Sequence, residues 1–143
     1  MTIGPASTGD LPAVRRMLEA QQLPLDELDA HVATMVVAKS GEDVVGAAAV
    51  ELYSDGALLR SVVVSPAAQG QGLGHRLTDA ALNIAKSRGL ETAFLLTTTA
   101  EQFFPRLGFE QISRAEVPPS VQASVEFQSA CPASATVMRK RLA

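Results

Sequence analysis

Cysteine occurs once in the 143 residues, at Cys131. The chain can therefore close no internal disulfide, and it lacks the cross-linked framework of small secreted domains. Histidine occurs twice, at His31 and His75, and two distant imidazoles with one thiol make no zinc spacing, so no metal is expected. A basic excess is missing too. Twelve Lys and Arg stand against fifteen Asp and Glu, a net charge of -3 and a pI near 5.3. That balance argues against a nucleic-acid-binding surface. The densest basic group, Arg139 to Arg141, reads as a solvated strand end. Long apolar runs are also lacking: Val44 to Leu52 is far too short to span a bilayer. The first ten residues have neither a basic start nor an apolar core, so nothing predicts export or membrane binding, and a cytoplasmic protein is expected.

An apolar share of 47% and a charged share of 19% are ordinary for a soluble globular protein. The length predicts one domain, residues 1–143, able to bury a core of its own. Residues 1–6 read as a short first strand. A helix follows from Asp10, with an acidic cap, Pro12 in its first turn, and Leu11, Val14 and Leu18 on one face. Residues 34–39, 44–53 and 57–65 are strand-like and separated by short breaks, which predicts an antiparallel meander, since parallel neighbours need a long crossover. From Leu73 the period changes: Leu73, Leu77, Ala81 and Ile84 recur at helical spacing, and Gly89 stands where the helix should stop. Residues 92–98 return to strand composition, and strand, helix, strand forms a right-handed parallel unit. Residues 99–109 read as a short helix kinked at Pro105 and ended by Gly108. Strands near 111–117 and at 135–142 complete an α+β domain with a mixed sheet.

The glycines of "SPAAQGQGLGHRL" are the strongest local signal. They follow "VVV" and lead into an amphipathic helix. Glycines let successive N–H groups converge, and a helix start adds partial positive charge, so the expected guest is an anion, most naturally a phosphate. Two familiar phosphate loops fail here. The P-loop needs Lys and Ser/Thr after its last glycine, where His75 and Arg76 stand. The dinucleotide fingerprint asks for glycine at His75 and for an acid ending the next strand, whereas Glu91 precedes that strand.

A third pattern fits. Gln69-Gly70-Gln71-Gly72-Leu73-Gly74 resembles the (Arg/Gln)-x-x-Gly-x-(Gly/Ala) loop of the GNAT acetyltransferase superfamily. "LLRSVVVSPAAQGQGLG" is similar to that family's fourth strand and pyrophosphate loop, and "AEQFFPRLGF" to its late helix and following strand. The resemblance is tightest from Leu58 to Phe109. It implies a GNAT fold: a mixed central sheet with an antiparallel N-terminal meander and a splayed parallel pair, flanked by helices. It implies acetyl-CoA as cosubstrate, lying between strands 58–65 and 92–98. The amides of Gln69, Gly70, Gln71, Gly72, Leu73 and Gly74 would receive the pyrophosphate, and the backbone of Val62, Val63 and Val64 the pantetheine arm. Thr97 and Phe104 would flank the cofactor.

The acceptor amine must be neutral to attack, which makes a general base useful. Glu51 is the candidate, its alternative being a solvated strand-end carboxylate. Ser61 is a further catalytic candidate. Phe104 stands where many members of the family place a tyrosine, so a phenolic acid is missing there. Arg60, inside "LLRSVVV", cannot be buried cheaply without a partner. It faces solvent, pairs with an acid such as Glu51, or offers its fork to a substrate carboxylate. His31 lies in the segment where this family often covers the acceptor site, its alternative being a structural histidine, and Cys131 reads as a small packed side chain with no base to activate it.

"LLTTTAEQFFPRLGF" is similar to amino-acid N-acetyltransferases of the N-acetylglutamate synthase type, and together with "ALLRSVVVSPAAQGQGLG" and "CPASATVMRKRL" it resembles small GNAT proteins linked to arsenic-resistance gene clusters. These resemblances imply an N-acetyltransferase whose acceptor is a small amine, an amino acid or an amino-acid-like toxin, attacking directly in a ternary complex. The alternative is a CoA-binding module without turnover, acting as sensor or partner subunit. A homodimer is compatible with the family, where dimers are frequent.

Overall fold

A computed structural model describes residues 1–130 and 135–142; the expectation for Cys131 lies outside the described residues. The strands are β1 (Thr2–Pro5), β2 (Met35–Ser40), β3 (Asp43–Tyr53), β4 (Gly56–Val64), β5 (Thr92–Thr97), β6 (Glu110–Ile112) and β7 (Thr136–Arg141). The helices are α1 (Leu11–Ala20), α2 (Leu73–Ser87) and the single turn α3 (Pro119–Gln122). The strands form one mixed sheet in the order β1-β2-β3-β4-β5-β7-β6. Its first four strands pair antiparallel in sequence order, as their short connections require.

Strand alternation sends side chains to two faces. Val36, Ala38, Ala48, Val50 and Leu59 point to one, where α2 lays down Leu73, Leu77, Ala81, Leu82 and Ala85. Met35, Val37, Ala47 and Ala49 point to the other and meet Leu11, Val14 and Leu18 of α1. Further along that second face, Leu58, Phe94 and Val137 pack with Val117, Val121 and Phe127. Each fully buried leucine contributes about 2 kcal/mol. The close seat of α2 depends on Gly46, where a Cβ would stand 2.7 Å from Leu77 Cδ1 and 3.1 Å from the Val63 carbonyl oxygen.

Some elements differ from expectation. Asp10 does precede α1, but its carboxylate accepts from the Ser7 N–H at 2.9 Å and caps the preceding turn, Thr8–Asp10. That bond and Lys39, 3.1 Å away, hold its carboxyl below the usual carboxylate range. The helix at 99–109 is only a 3-10 turn, Phe104–Leu107, with Pro105 in its first turn, so the proline starts the helix rather than kinking it. The strand expected at 111–117 is the three-residue β6, and the rest winds into a turn at Arg114–Glu116.

Two irregularities open the sheet. β4 and β5 run parallel but pair only at Ala57↔Ala93 and Leu58↔Phe94. Beyond that point β4 stays with β3 and β5 stays with β7, so the two strands part. On β4 the register shifts between Ala49↔Arg60 and Ala47↔Val63, leaving Ala48 opposite both Ser61 and Val62. This is a β-bulge, and Ser61 sits in it with φ +58°. The extra residue inverts the alternation: Val62 and Val64 join Leu59 on the α2 side, and Val63 crosses to the α1 side.

Candidate active site

The parting strands enclose a cleft of about 980 Å³. One wall is β4 from Leu59 to Val64 and the opposite wall β5 from Leu95 onward. At one end the loop before α2 contributes Gln69, Gly70, Gly72, Leu73 and Gly74. Gly70 and Gly72 have φ of +82° and +76°, a conformation that other residues adopt only with strain. Gly74 serves a different need, since a Cβ there would come within 3.1 Å of Phe103 Cζ. The first α2 bond of this turn runs from Arg76 N–H to the Gly72 carbonyl at 3.2 Å. The amides ahead of it belong to the unpaired first turn of a fifteen-residue helix. Positive φ at two glycines and a helix start thus bring unpaired amides to this end of the cleft.

Most residues singled out from the sequence line this one cleft: Arg60, Ser61, Val62, Val63, Val64, Gln69, Gly70, Gly72, Leu73, Gly74, Thr97 and Phe104. Gln71 belongs to the same loop without standing on the wall. Thr97 Oγ1 accepts the Ala100 N–H at 2.9 Å and so shapes the turn after β5. Phe104 packs edge-on against Phe103 and Phe109, at 5.0 and 5.7 Å between ring centroids. The Val64 carbonyl accepts two side-chain amides, Gln21 Nε2 at 2.8 Å and Gln69 Nε2 at 3.0 Å.

Beside the bulge lies a buried ionic cluster. Arg60 Nη1 donates to Glu51 Oε2 at 2.8 Å, and its Nε lies 3.2 Å from Glu126 Oε2. Glu51 stands behind the wall rather than on it. There it also accepts from the Tyr53 hydroxyl and meets His31 Nε2 at 3.3 Å. Burial and the neighbouring Glu51 carboxylate push the Tyr53 hydroxyl well above the usual phenol range, so it keeps its proton and donates. Arg60 has one buried nitrogen, Nη2, with no hydrogen-bond partner among the described residues. Its Nη1 is directed at Glu51, while its Nε donates to Ser61 Oγ at 3.2 Å and lies beside Glu126. The guanidinium thus stands between two buried carboxylates.

Glu126 is the functional candidate missed in the sequence. It opens a π-helical turn, Glu126–Ala130, and faces the cleft. No motif marks it; an acid between Val125 and Phe127 is the only signal. Among the described residues, no group of three or more His, Cys, Asp or Glu side chains is placed to hold a metal. Nor is any helix long and apolar enough to cross a membrane.

The chain matches the acetyltransferase (GNAT) domain family over residues 31–111. An amino-acid acetyltransferase of Mycobacterium tuberculosis is 34% identical over 122 residues, covering 78% of this chain and 70% of that one. An amino-acid acetyltransferase of Neisseria meningitidis is 29% identical over 127 residues, 82% of this chain but 29% of the relative. Among solved structures, Rv2747 of Mycobacterium tuberculosis, in a complex that includes CoA, superimposes with a TM-score of 0.84 at 27% identity over the whole of both chains. The N-acetylglutamate synthase of Neisseria gonorrhoeae, complexed with CoA and N-acetyl-glutamate, gives a TM-score of 0.86 at 24% identity. This chain spans 35% of that enzyme. Splayed strands, glycine loop and sequence match converge: the chain belongs to the GNAT acetyltransferase family.

Proposed function

We propose that the chain moves the acetyl group of acetyl-CoA to the amine of a small molecule, an amino acid or amino-acid-like compound, by direct attack in a ternary complex. The observation that carries this reading is the parting of β4 and β5 beside the glycine cradle. The gap exposes strand backbone to a peptide-like pantetheine arm and leads it to a site for a pyrophosphate. The relatives named amino-acid acetyltransferases support the acceptor class.

In this reading the amides of the loop from Gln69 to Gly74 hold the pyrophosphate, and the backbone of Val62 to Val64 aligns the thioester. An N–H in that stretch would polarise the thioester carbonyl and stabilise the oxyanion formed by amine attack. Leu95, Thr97 and Phe104 close the opposite wall against water. Phe104 carries no hydroxyl, so the thiolate leaves without a phenolic donor from that position. Arg60 acts on the acceptor through Glu51 and Glu126, which it holds in place.

Thiol release from acetyl-CoA tests the reading against amino acids, amino-acid-like toxins and polyamines. Turnover with carboxylated amines is the expected result. Tight acetyl-CoA binding by calorimetry, with no release for any amine, would instead favour a sensor or partner subunit.

A further inference from the structure

We infer that Leu59 and Leu95 form a stop at the narrow end of the cleft, which limits the acyl group of the bound thioester to acetyl. The inference rests on the acetyl-transfer reading above and adds the residues that set acyl length. The cleft has a closed end. At Leu58↔Phe94 the strands β4 and β5 are still paired, and paired strands lie about 4.8 Å apart. A third chain between them needs roughly twice that spacing. A linear ligand therefore enters from the glycine loop and stops where the pairing begins. The next residue on each strand is a leucine, Leu59 on β4 and Leu95 on β5, and both stand on the cleft wall.

The length of the arm decides what reaches them. From phosphate ester to sulfur the pantetheine arm has about twelve bonds, the reach of roughly four extended residues. Counted back along β4 from Val64, that length ends at the Ser61 bulge. The thioester then lies at the bulge, and its acyl tail enters the last stretch of wall, between Leu59 and Leu95. Beyond these two only the closing pair remains, about 3.3 Å further along the strand. The surroundings resist widening. On one face both leucines, each 2% exposed, belong to the core under α2 with Ala81, Leu82, Ala85 and Phe104. On the other face Arg60 Nε lies 3.2 Å from Glu126 Oε2, and both side chains are buried. A longer tail has to overfill a packed core or separate buried charges.

Acetyl-, propionyl- and butyryl-CoA test this, in binding by calorimetry and in thiol release with the best amine of the panel. For the wild type each added methylene is expected to lower kcat/KM for the thioester by about ten- to two-hundredfold, the scale of a methylene misfit in an apolar pocket. Leu59→Ala and Leu95→Ala should bring propionyl-CoA level with acetyl-CoA. Leu95→Val, one methylene shorter than the wild type, should admit propionyl-CoA and serves if the alanine variants do not fold. Leu82→Ala empties the same core away from the wall. It should lose stability yet keep the wild-type acyl ratio, a contrast that a merely structural role of the two leucines would not produce. Equal use of the three thioesters by the wild type would overturn the inference, as would a wild-type ratio in both Leu59→Ala and Leu95→Val. If no amine is acetylated, the acetyl-transfer reading fails and the calorimetric affinities decide the stop by themselves. Equal affinity for the three thioesters then overturns it, and a fall with each methylene that Leu95→Val relieves upholds it.

Discussion

Arg60 has no exposed side-chain surface, and it pairs with Glu51 and contacts Glu126. Removing the guanidinium breaks a buried ion pair with Glu51, at about 3–5 kcal/mol. Arg60→Ala is therefore expected to lower stability by that amount, read by thermal denaturation, apart from any change in acceptor KM. How legible this site was depended on residue type. A guanidinium inside "LLRSVVV" advertises a need for a partner, and Glu51 sits on the neighbouring strand of a predictable meander. Glu126 sends no such signal, because it comes from a short π-helical turn in a stretch without periodicity. His31 shows the same limit: its contact with Glu51 depends on a 3-10 segment, Leu28–Thr34, whose path the sequence does not specify.

α2 is the element most readable in advance, because its stripe, its glycine stop and its crossover length all agree. What the periodicity could not reveal is how near it lies to the sheet. That distance is set by Gly46, whose missing side chain makes room for Leu77. Gly46→Ala is expected to cost about 1–3 kcal/mol through overpacking, measured by chemical denaturation. The late helix is shorter than its composition predicts. Residues 99–109 have helical composition, but the Thr97 hydroxyl bonds the Ala100 amide and the chain turns before winding. The helix therefore begins only around Pro105, where a missing N–H is harmless.

For the whole molecule, the sheet is two paired sections, β1 to β4 and β5 to β7, joined at two residue pairs. A ligand lying between them binds only the folded form and should raise its stability. At a hundredfold excess over Kd the gain is about 2.7 kcal/mol, on the order of 8 °C at roughly 3 °C per kcal/mol. Differential scanning fluorimetry with acetyl-CoA reads this directly. Gly72→Glu, which puts bulk and negative charge in the loop proposed to hold the pyrophosphate, should melt as a folded protein and show no rise. The sheet order and the place of the glycine loop at the cleft were legible because loop lengths and punctuation determine them. The width of the gap was not, since it follows from where hydrogen bonding between β4 and β5 stops.

The left-handed residue at the centre of β4 also limits how this strand can drift through mutation. At Ser61, Gly, Asn or Asp could follow without disturbing the backbone, because they tolerate φ +58°. Valine, isoleucine and threonine, the usual improvements to a strand, would press the bulge toward regular pairing. A regularised strand would return Val62 and Val64 to the α1 side and Val63 to the α2 side, exchanging residues between two filled cores. Single-residue deletions from Arg60 to Val64 carry the same penalty. A strand that looks from its composition like the most substitutable part of the chain is thereby among its least permissive.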